Sequence, residues 1–173
     1  QLNRFMEQPE LLKKLKRFRI IFLGGAAVSK KLLHQAREQQ LPLAPCYGMT
    51  ETAAMVTLLE PSDFLAGINS SGTALPNTKV TIQDQRIHIQ TNSLYRGYWG
   101  DEQGEIESIG TQDHGMIDKD YHLHVHGRLD RVIISGGEKI DPAEVEATLL
   151  MYEDIEEALV LGVEDKEWGQ RVI

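Results

Sequence analysis

The chain has 173 residues, of which 41% are hydrophobic and 25% charged, so its composition is that of a globular protein with room for one domain or slightly more. Its single cysteine, Cys46, excludes an internal disulfide and indicates a reducing compartment, and we expect a cytoplasmic protein. The formal net charge of −8 argues against nucleic acid as a partner, and no apolar run reaches the roughly 18 to 20 residues of a membrane span.

The first part of the chain is predicted to alternate helices with short strands. The predicted elements are a helix over 7–17, a strand over 19–23, a helix over 30–39 and strands over 41–46 and 54–59. Ser29 precedes the second helix and is a credible N-cap for it. Strand, helix and strand joined by short links predict a βαβ unit.

The pattern changes after Gly67, where short runs of alternating apolar and polar residues begin. These runs cover 79–82, 86–90, 115–117 and 122–126, and turn residues such as Asp84-Gln85 separate them. Alternation over short, regularly spaced runs predicts an antiparallel sheet or a small β-barrel.

A third pattern starts near Gly127. A strand over 132–134, a turn over 135–137, a helix over 142–151 and a strand over 157–163 are predicted there. Asp141 is a credible N-cap for that helix, and Pro142 stands at its first position, where a missing N–H costs little. The segment 127–131 is the best candidate for a domain boundary.

Two segments have features that favour a phosphate ligand. The glycines of GGAAVS, residues 24–29, join a strand to a helix, where a ligand can approach the backbone, although the segment is neither GxGxxG nor a P-loop. In CYGMTE, residues 46–51, the Thr50 hydroxyl can donate to a phosphate and the Glu51 carboxylate can hold Mg²⁺. Tyr47 offers a ring face for a base. The alternative for this second segment is a loop with ordinary capping polar groups.

Asp113 and Arg128 are the remaining candidates for contact with a nucleotide. Asp113 belongs to a predicted turn ahead of a strand, where its carboxylate can accept bonds from both hydroxyls of a ribose; an Asx turn is the alternative. Arg128 follows Gly127 in a charged segment, and its guanidinium can form paired hydrogen bonds to phosphate or sugar oxygens.

Read in order, these segments resemble the adenylate-forming superfamily of acyl-CoA synthetases, luciferases and peptide-synthetase adenylation domains. The matching motifs are Gly24-Gly25-Ala26, Tyr47-Gly48-Met49-Thr50-Glu51, Thr111-x-Asp113, Gly127-Arg128-x-Asp130 and the run 134–140. The SGGEKI turn and the EWGQRV ending look like a CoA ligase. The spacing looks most like that of the 2-succinylbenzoate–CoA ligases of menaquinone and phylloquinone biosynthesis.

The resemblance implies an α/β protein and a ligase that works in two steps. A small-molecule carboxylic acid reacts with ATP, in the presence of Mg²⁺, to give an acyl-adenylate, and the thiol of CoA then displaces AMP. ATP, CoA and the acid are therefore the expected partners, and a homodimer is left open. An acyl-CoA synthetase for an aryl, cinnamate-like or fatty acid is the alternative.

The resemblance also implies a role for each matching residue. Thr50 would contact phosphate, Glu51 would hold Mg²⁺, and Arg128 would support ribose and phosphate; these three are the expected catalytic residues. Asp113 would hold the ribose hydroxyls, and Asp130 would be a hinge. The adenine and acyl pocket would be bordered by Gly24, Gly25, Ala26, Tyr47 and Gly48. The pantetheine tunnel would be lined by Gly136 and Gly137.

The implied domain organisation is that of the end of a longer protein. Residues 1–127 would finish a large domain, with a βαβ part over 1–66 and a β-barrel part over 67–127. Residues 128–173 would be the hinge and the beginning of a small α+β domain. The family's phosphate loop and catalytic lysine are expected before Gln1 and after Ile173, so we expect this piece to be inactive alone.

Three other hypotheses remain open. A zinc site would use His122, His124 and His126, which alternate along a predicted strand, together with His114. A nucleotide-binding module would keep the fold without catalysis. A structural fragment would bind neither ATP nor an acyl-adenylate.

Overall fold

The computed structural model describes residues 1–100, 106–152, 154–155 and 157–173. The helices are α1 (Leu2–Met6), α2 (Pro9–Leu15), α3 (Lys30–Glu38), α4 (Pro61–Leu65) and α5 (Pro142–Leu149). The first strands are β1 (Ile21–Leu23), β2 (Leu43–Gly48), β3 (Met55–Leu58) and β4 (Thr73–Ala74). The second set is β5 (Thr78–Gln83), β6 (Arg86–Thr91), β7 (Ile109–Ile117) and β8 (Leu123–Arg128). The last are β9 (Ile133–Ser135), β10 (Glu138–Ile140), β11 (Gly162–Asp165) and β12 (Gly169–Val172).

The first sheet has the strand order β1-β2-β3-β4 and contains the predicted βαβ unit. Strands β1 and β2 are parallel and are joined by α3, while β3 and β4 add antiparallel strands. The Ser29 hydroxyl accepts a hydrogen bond from the Leu32 N–H at 3.2 Å, which confirms the predicted N-cap. Helix α1 was not predicted, because its five residues are too few for a helical period to stand out.

The helices cover the first sheet through one apolar core. Its buried members are Leu2, Ala36, Leu41, Leu43, Leu59 and Phe64. Four of these six stand on or beside α3, β2 and α4, so the core fixes the βαβ unit and the helix that follows β3. No helix in the part of the chain that the structure describes is long and apolar enough to cross a membrane.

The second sheet is an antiparallel meander with the order β5-β6-β7-β8. The prediction of antiparallel structure is confirmed, but a closed barrel is wrong: among the described residues no ladder joins β5 to β8. Four strands are too few to close around a packed interior, and alternation does not distinguish an open sheet from a closed one. Val56, Ile87, Ile89 and Leu123 form the buried core on one face of this sheet.

The turn between β7 and β8 is organised by the Asp118 carboxylate. It accepts hydrogen bonds from the backbone N–H groups of Asp120 and His122, both at 2.9 Å, and lies 2.8 Å from His124 Nε2. The bond with His124, followed by the His122 N–H, lowers the pKa of Asp118 to about 2. The charged form of Asp118 is therefore favoured in the folded protein.

This arrangement gives a pH dependence of stability that can be measured. A carboxyl with a depressed pKa stabilises the fold above its unfolded pKa of about 4, and that contribution is lost as the pH falls towards 2. We expect Asp118→Asn to flatten the fall in the free energy of unfolding between pH 4 and pH 2, measured by denaturant titration. The matched control is Asp120→Asn, an exposed neighbour in the same turn. Equal slopes for Asp118→Asn and the unmodified protein would contradict this role.

The third sheet has the order β10-β9-β12-β11 and is antiparallel throughout. Gly136 and Gly137, with φ of 58° and 89°, form the tight turn between β9 and β10. The strand predicted over 157–163 exists but begins later, because the ladder of β11 starts at Gly162 and only Leu161 exchanges backbone hydrogen bonds with Ile173 ahead of it. Two residues before β11, the Val160 N–H donates to the Glu146 carboxylate at 3.0 Å, so Val160 is bound to α5.

The third sheet and α5 are attached to the second sheet at the start of α5. The Asp141 carboxylate caps α5 by accepting from the Ala143 N–H at 2.9 Å, as predicted, and Pro142 is the first helical residue. Asp141 also lies 2.9 Å from His114 Nε2, and both side chains are largely buried. A Cβ at Gly127 would lie only 2.8 Å from the Asp141 carboxylate, so the glycine permits this close packing.

Candidate functional site

The first part of the site lies at the carboxyl ends of the parallel strands β1 and β2, the edge at which α/β sheets commonly bind ligands. Gly24 follows β1 and packs against β2, since an added Cβ would lie 2.7 Å from Cys46 Sγ and 3.1 Å from the Cys46 carbonyl oxygen. Gly25, with φ of 85°, faces open space, and Ala26 is exposed. The predicted glycine segment therefore presents accessible backbone beside the end of β2.

The end of β2 depends on a close approach of two backbones. The register with β3 shifts between Tyr47 and Gly48, and an added Cβ at Gly48 would lie 2.1 Å from the Ala54 carbonyl oxygen. Such a contact is far inside van der Waals distance, so only glycine fits. The chain then passes through a 3-10 turn over Thr50–Thr52 and returns as β3, with Ala53 in the left-handed region at φ of 61°.

Of the two threonines in this turn, Thr52 has a structural role. Its buried hydroxyl accepts from the Met49 N–H at 3.1 Å and contacts the carbonyl oxygens of Met49 and Ala54 at 3.0 and 2.8 Å. One hydroxyl thus satisfies polar backbone groups on both sides of the turn. Thr50, in contrast, is exposed.

We expect Thr52→Val to destabilise the protein by about 1–3 kcal/mol, because the isosteric valine leaves buried backbone groups without a partner. Urea unfolding followed by circular dichroism measures this difference. Thr50→Val is the matched control, since its exposed hydroxyl should change stability by less than about 0.5 kcal/mol. If the two variants were equally stable, the assignment of Thr52 to the turn would be wrong.

Glu51 is held by a segment that the sequence did not single out. The Tyr98 hydroxyl donates to Glu51 Oε1, and the Tyr95 N–H donates to the Glu51 carbonyl oxygen at 2.7 Å. The two tyrosine rings meet edge to face, with centroids 5.2 Å apart. The hydrogen bond from Tyr98 lowers the pKa of Glu51, so the carboxylate is ionised at neutral pH and suits a hard cation.

The second part of the site joins three side chains that are distant in sequence. The Tyr47 hydroxyl donates to Asp113 Oδ2 at 2.6 Å. Arg128 Nη1 lies 3.7 Å from Asp113 Oδ1, and the two residues are directly opposite each other in the β7–β8 ladder. The Asp113 side chain is 15% exposed and that of Arg128 is 47% exposed. A mostly buried carboxylate therefore lies between a phenol and an accessible guanidinium.

Asp113 does not lie in a turn before a strand, as the sequence suggested, but inside β7. The Thr111 hydroxyl accepts from the Asp113 N–H at 3.1 Å, a local bond that mimics a turn within the strand. The register between β7 and β8 shifts just afterwards, at His114 and Gly115. The ladder and this irregularity fix Asp113 opposite Arg128, which the local sequence could not reveal.

Arg128 is shared between two carboxylates. Its Nε and Nη2 bond to the two oxygens of Asp130 at 2.9 and 2.5 Å, while Nη1 faces Asp113. The bond with Asp130 raises the pKa of Arg128 and lowers that of Asp130. Both side chains are about half exposed, so an incoming anion can compete for the guanidinium.

The family model described as AMP-binding enzyme matches residues 1–99, more than half of the chain and including the Gly24 and Tyr47–Glu51 segments. The chain belongs to the AMP-binding enzyme family. A 2-succinylbenzoate–CoA ligase of Geobacillus kaustophilus is 37% identical over 168 residues, which cover 88% of this chain and 34% of that ligase. The chain thus spans about a third of the curated relatives that it matches.

Two solved structures have the same fold as this chain. The o-succinylbenzoate CoA synthetase of Bacillus subtilis, in complex with its acyl-adenylate intermediate, matches with a TM-score of 0.81 and 32% identity over 94% of this chain and 38% of that one. The amide bond synthetase McbA of Marinactinospora thermotolerans gives a TM-score of 0.83 and 28% identity over 99% and 39% of the two chains.

The structure groups some predicted residues and separates others. Gly136 belongs to the third sheet, where its N–H donates to the Trp168 carbonyl oxygen at 2.9 Å and its Cα lies against the Trp168 ring. Among the described residues, Gly136 therefore contacts Trp168 and not Asp113. The described contact of the Glu51 carboxylate is likewise with Tyr98 and not with Asp113.

The four histidines considered for zinc divide between two places. His122 and His124 lie beside Asp118, whereas His114 contacts Asp141 and meets His126 edge to face. Within the described ranges, no group of three His, Cys, Asp or Glu side chains is arranged to hold a metal ion. Three of the four histidines therefore contact two separate carboxylates, and the zinc hypothesis is not supported.

Proposed function

We propose that the chain is part of an ATP-dependent acid–CoA ligase that first forms an acyl-adenylate and then a CoA thioester. The observation that carries this proposal is the contact of Tyr47 and Arg128 with the Asp113 carboxylate, three positions that the sequence assigned separately to one nucleotide. Membership of the AMP-binding family, with residues 1–99 matched, supports the same ligand.

In this proposal Asp113 and Arg128 bind the sugar and phosphate of ATP. The Asp113 carboxylate accepts hydrogen bonds from the ribose hydroxyls, for which it has acceptor positions beyond the one that Tyr47 uses. Arg128, about half exposed, donates to ribose or α-phosphate oxygens. The accessible backbone at Gly24–Ala26 and the end of β2 at Tyr47–Gly48 border the adenine and acyl groups.

Thr50 and Glu51 act on the phosphates. The exposed Thr50 hydroxyl donates to a phosphate oxygen, and the ionised Glu51 carboxylate is the Mg²⁺ ligand. A carboxylate oxygen next to a hydroxyl matches the preference of this cation for oxygen ligands. When bound, Mg²⁺ neutralises charge on the phosphate oxygens.

Two displacements then complete the reaction. A carboxylate oxygen of the acid attacks the α-phosphorus of ATP, a P–O bond forms, and pyrophosphate leaves. The CoA sulfur next attacks the acyl carbon, a C–S bond forms, the bond to AMP breaks, and the thiol proton passes to solvent. Arg128 stabilises negative charge at the α-phosphate during the first step. The phosphate loop and the lysine of the family belong to parts of the protein beyond this chain.

We propose 2-succinylbenzoate as the acid, in menaquinone or phylloquinone biosynthesis. A relative named 2-succinylbenzoate–CoA ligase that is 37% identical supports this choice, as does the likeness to the Bacillus subtilis synthetase in complex with its acyl-adenylate. The small, exposed side chains of Ala53 and Ala54 beside the turn are compatible with an aromatic acid.

We further propose that one active site serves both steps because the small domain rotates. Residues 1–127 belong to the large domain and residues 128–173 to the hinge and the small domain, with Asp130 as the hinge residue. Rotation breaks the ion pair of Asp130 with Arg128 and brings Gly136 and Gly137 to the CoA tunnel. A cytoplasmic location suits these substrates and the single free cysteine.

A screen of acids with the full-length protein tests the substrate. We expect ATP-dependent pyrophosphate release with 2-succinylbenzoate, a CoA thioester once CoA is added, and much weaker release with a cinnamate or a fatty acid. Residues 1–173 alone should release none, because they lack the phosphate loop and the lysine. Release with a cinnamate or fatty acid but not with 2-succinylbenzoate would contradict the proposed substrate while leaving the reaction class intact.

A further inference from the structure

We propose that Tyr47 is a positioning residue: its hydroxyl holds the Asp113 carboxylate in the orientation that recognises a ribose. This inference rests on the proposed ATP-binding function. It adds to the stacking role of the Tyr47 ring a second role for the Tyr47 hydroxyl, which is to orient the Asp113 carboxylate. It assigns discrimination between ribonucleotides and deoxyribonucleotides to a pair of residues that are 66 positions apart.

The phenol of Tyr47 is held firmly by its surroundings. Its ring packs against the core of the second sheet, whose buried members include Val56 and Ile87. Its backbone is paired with Thr57 of β3, and the shift of register directly after it fixes the direction in which β2 ends. The hydroxyl therefore emerges from a packed ring at a fixed place, as a positioning group requires.

The Asp113 carboxylate receives this hydroxyl on one side only. Oδ2 accepts from Tyr47 at 2.6 Å, while Oδ1 is 3.7 Å from the Arg128 guanidinium, beyond hydrogen-bond distance. The backbone N–H of Asp113 is bound to Thr111 at 3.1 Å, so the base of the side chain is also fixed. A carboxylate oriented in advance loses less rotational freedom when a ribose binds to its remaining acceptor positions.

The hydroxyl stays a donor at every physiological pH. Burial, and then the hydrogen bond to Asp113, raise the pKa of Tyr47 well above its usual range. Two charged groups act on this phenol: Asp113, which raises its pKa, and Arg128, which lowers it by less. The orientation of Asp113, and with it the preference for a ribose, should therefore not change across neutral pH.

The test compares Tyr47→Phe with the unmodified full-length protein, using ATP, 2′-deoxy-ATP and 3′-deoxy-ATP in the pyrophosphate assay. Phenylalanine keeps the ring in the core and removes only the hydroxyl. We expect the preference for ATP over either deoxynucleotide, measured as a ratio of kcat/KM values, to fall about tenfold in Tyr47→Phe. The change should arise from KM, and kcat should stay within about twofold of that of the unmodified protein. Tyr121→Phe, an exposed tyrosine in the β7–β8 turn, is the matched control and should change neither value.

A double-mutant cycle with Asp113→Asn completes the test, because positioning through Asp113 predicts that the two losses do not add. An unchanged nucleotide preference in Tyr47→Phe, or additive losses, would overturn the positioning role and leave the proposed ligase standing. Absence of ATP-dependent activity in the unmodified full-length protein would overturn both. Melting temperatures of the four proteins of the cycle exclude misfolding as the cause of a loss.

Discussion

Asp113→Asn should weaken the binding of ATP by the full-length protein about a hundredfold. The substitution keeps the shape of the side chain and removes its charge, so the two charge-assisted hydrogen bonds proposed between Asp113 and the ribose, worth together roughly 3 kcal/mol, would be lost. The loss is larger than that for a surface carboxylate because the Asp113 side chain is only 15% exposed. Isothermal titration with ATP and Mg²⁺ measures it directly.

The control for this experiment is Asp120→Asn, which removes an exposed carboxylate from the turn that follows the same strand. It should leave ATP affinity unchanged within about twofold. If Asp113→Asn bound ATP as tightly as the control, Asp113 would have a structural role in the contact with Tyr47 and Arg128 and no part in nucleotide binding.

The largest effect on stability is expected for Gly48→Ala. The added Cβ would lie 2.1 Å from the Ala54 carbonyl oxygen and 2.6 Å from Met55 Cα, and neither backbone atom can move without separating β2 from β3. This steric clash can be removed only if β2 and β3 separate where the turn over Thr50–Thr52 begins. We expect the free energy of unfolding of the full-length protein to fall by about 3 kcal/mol or more.

Denaturant unfolding measures this loss, and Gly67→Ala is the matched control. Gly67 has φ of 103°, and an added Cβ there would have no atom within 4 Å. Alanine at this position is therefore disfavoured only by the positive φ and not by a steric clash. That penalty is about 1–2 kcal/mol. Equal destabilisation of the two variants would mean that β2 and β3 can separate at little cost near Gly48.

The predictions that succeeded rest on local chemistry. Ser29 and Asp141 were recognised as N-caps because a short polar side chain ahead of a helical pattern has few other uses, and both accept the expected backbone bond. The parallel pair of β1 and β2 followed from strand, helix and strand in close succession. The two caps depend on residues within about four positions of each other, and the βαβ unit depends on elements that follow one another directly along the chain.

The features that escaped prediction depend on partners distant in sequence. The alternation of β5 to β8 fits an open sheet as well as a barrel, and only the pairing of strands decides between them. Asp113 was assigned to a turn ahead of a strand, yet the long strand β7 contains both Asp113 and Thr111, whose hydroxyl accepts from the Asp113 N–H. The link from Tyr98 to Glu51 spans 47 positions and has no local sequence signal.

Local sequence chemistry and the family resemblance supplied the candidate residues, and the fold brings a subset of them together. Tyr47, Asp113 and Arg128 meet, whereas Glu51 contacts Tyr98 and Gly136 contacts Trp168. A motif states which residue types recur, but their mutual distances depend on how three sheets are arranged. The role of the Tyr47 hydroxyl is visible only at that level.

The most direct test of the nucleotide site is a crystal structure of the full-length protein with a non-hydrolysable acyl-adenylate analogue. The ribose hydroxyls should lie within about 3 Å of the Asp113 carboxylate, with Tyr47 still bonded to its other side and Arg128 turned towards the sugar or the phosphate. A ribose bound elsewhere, with Asp113 contacting only Tyr47 and Arg128 as it does here, would contradict the account.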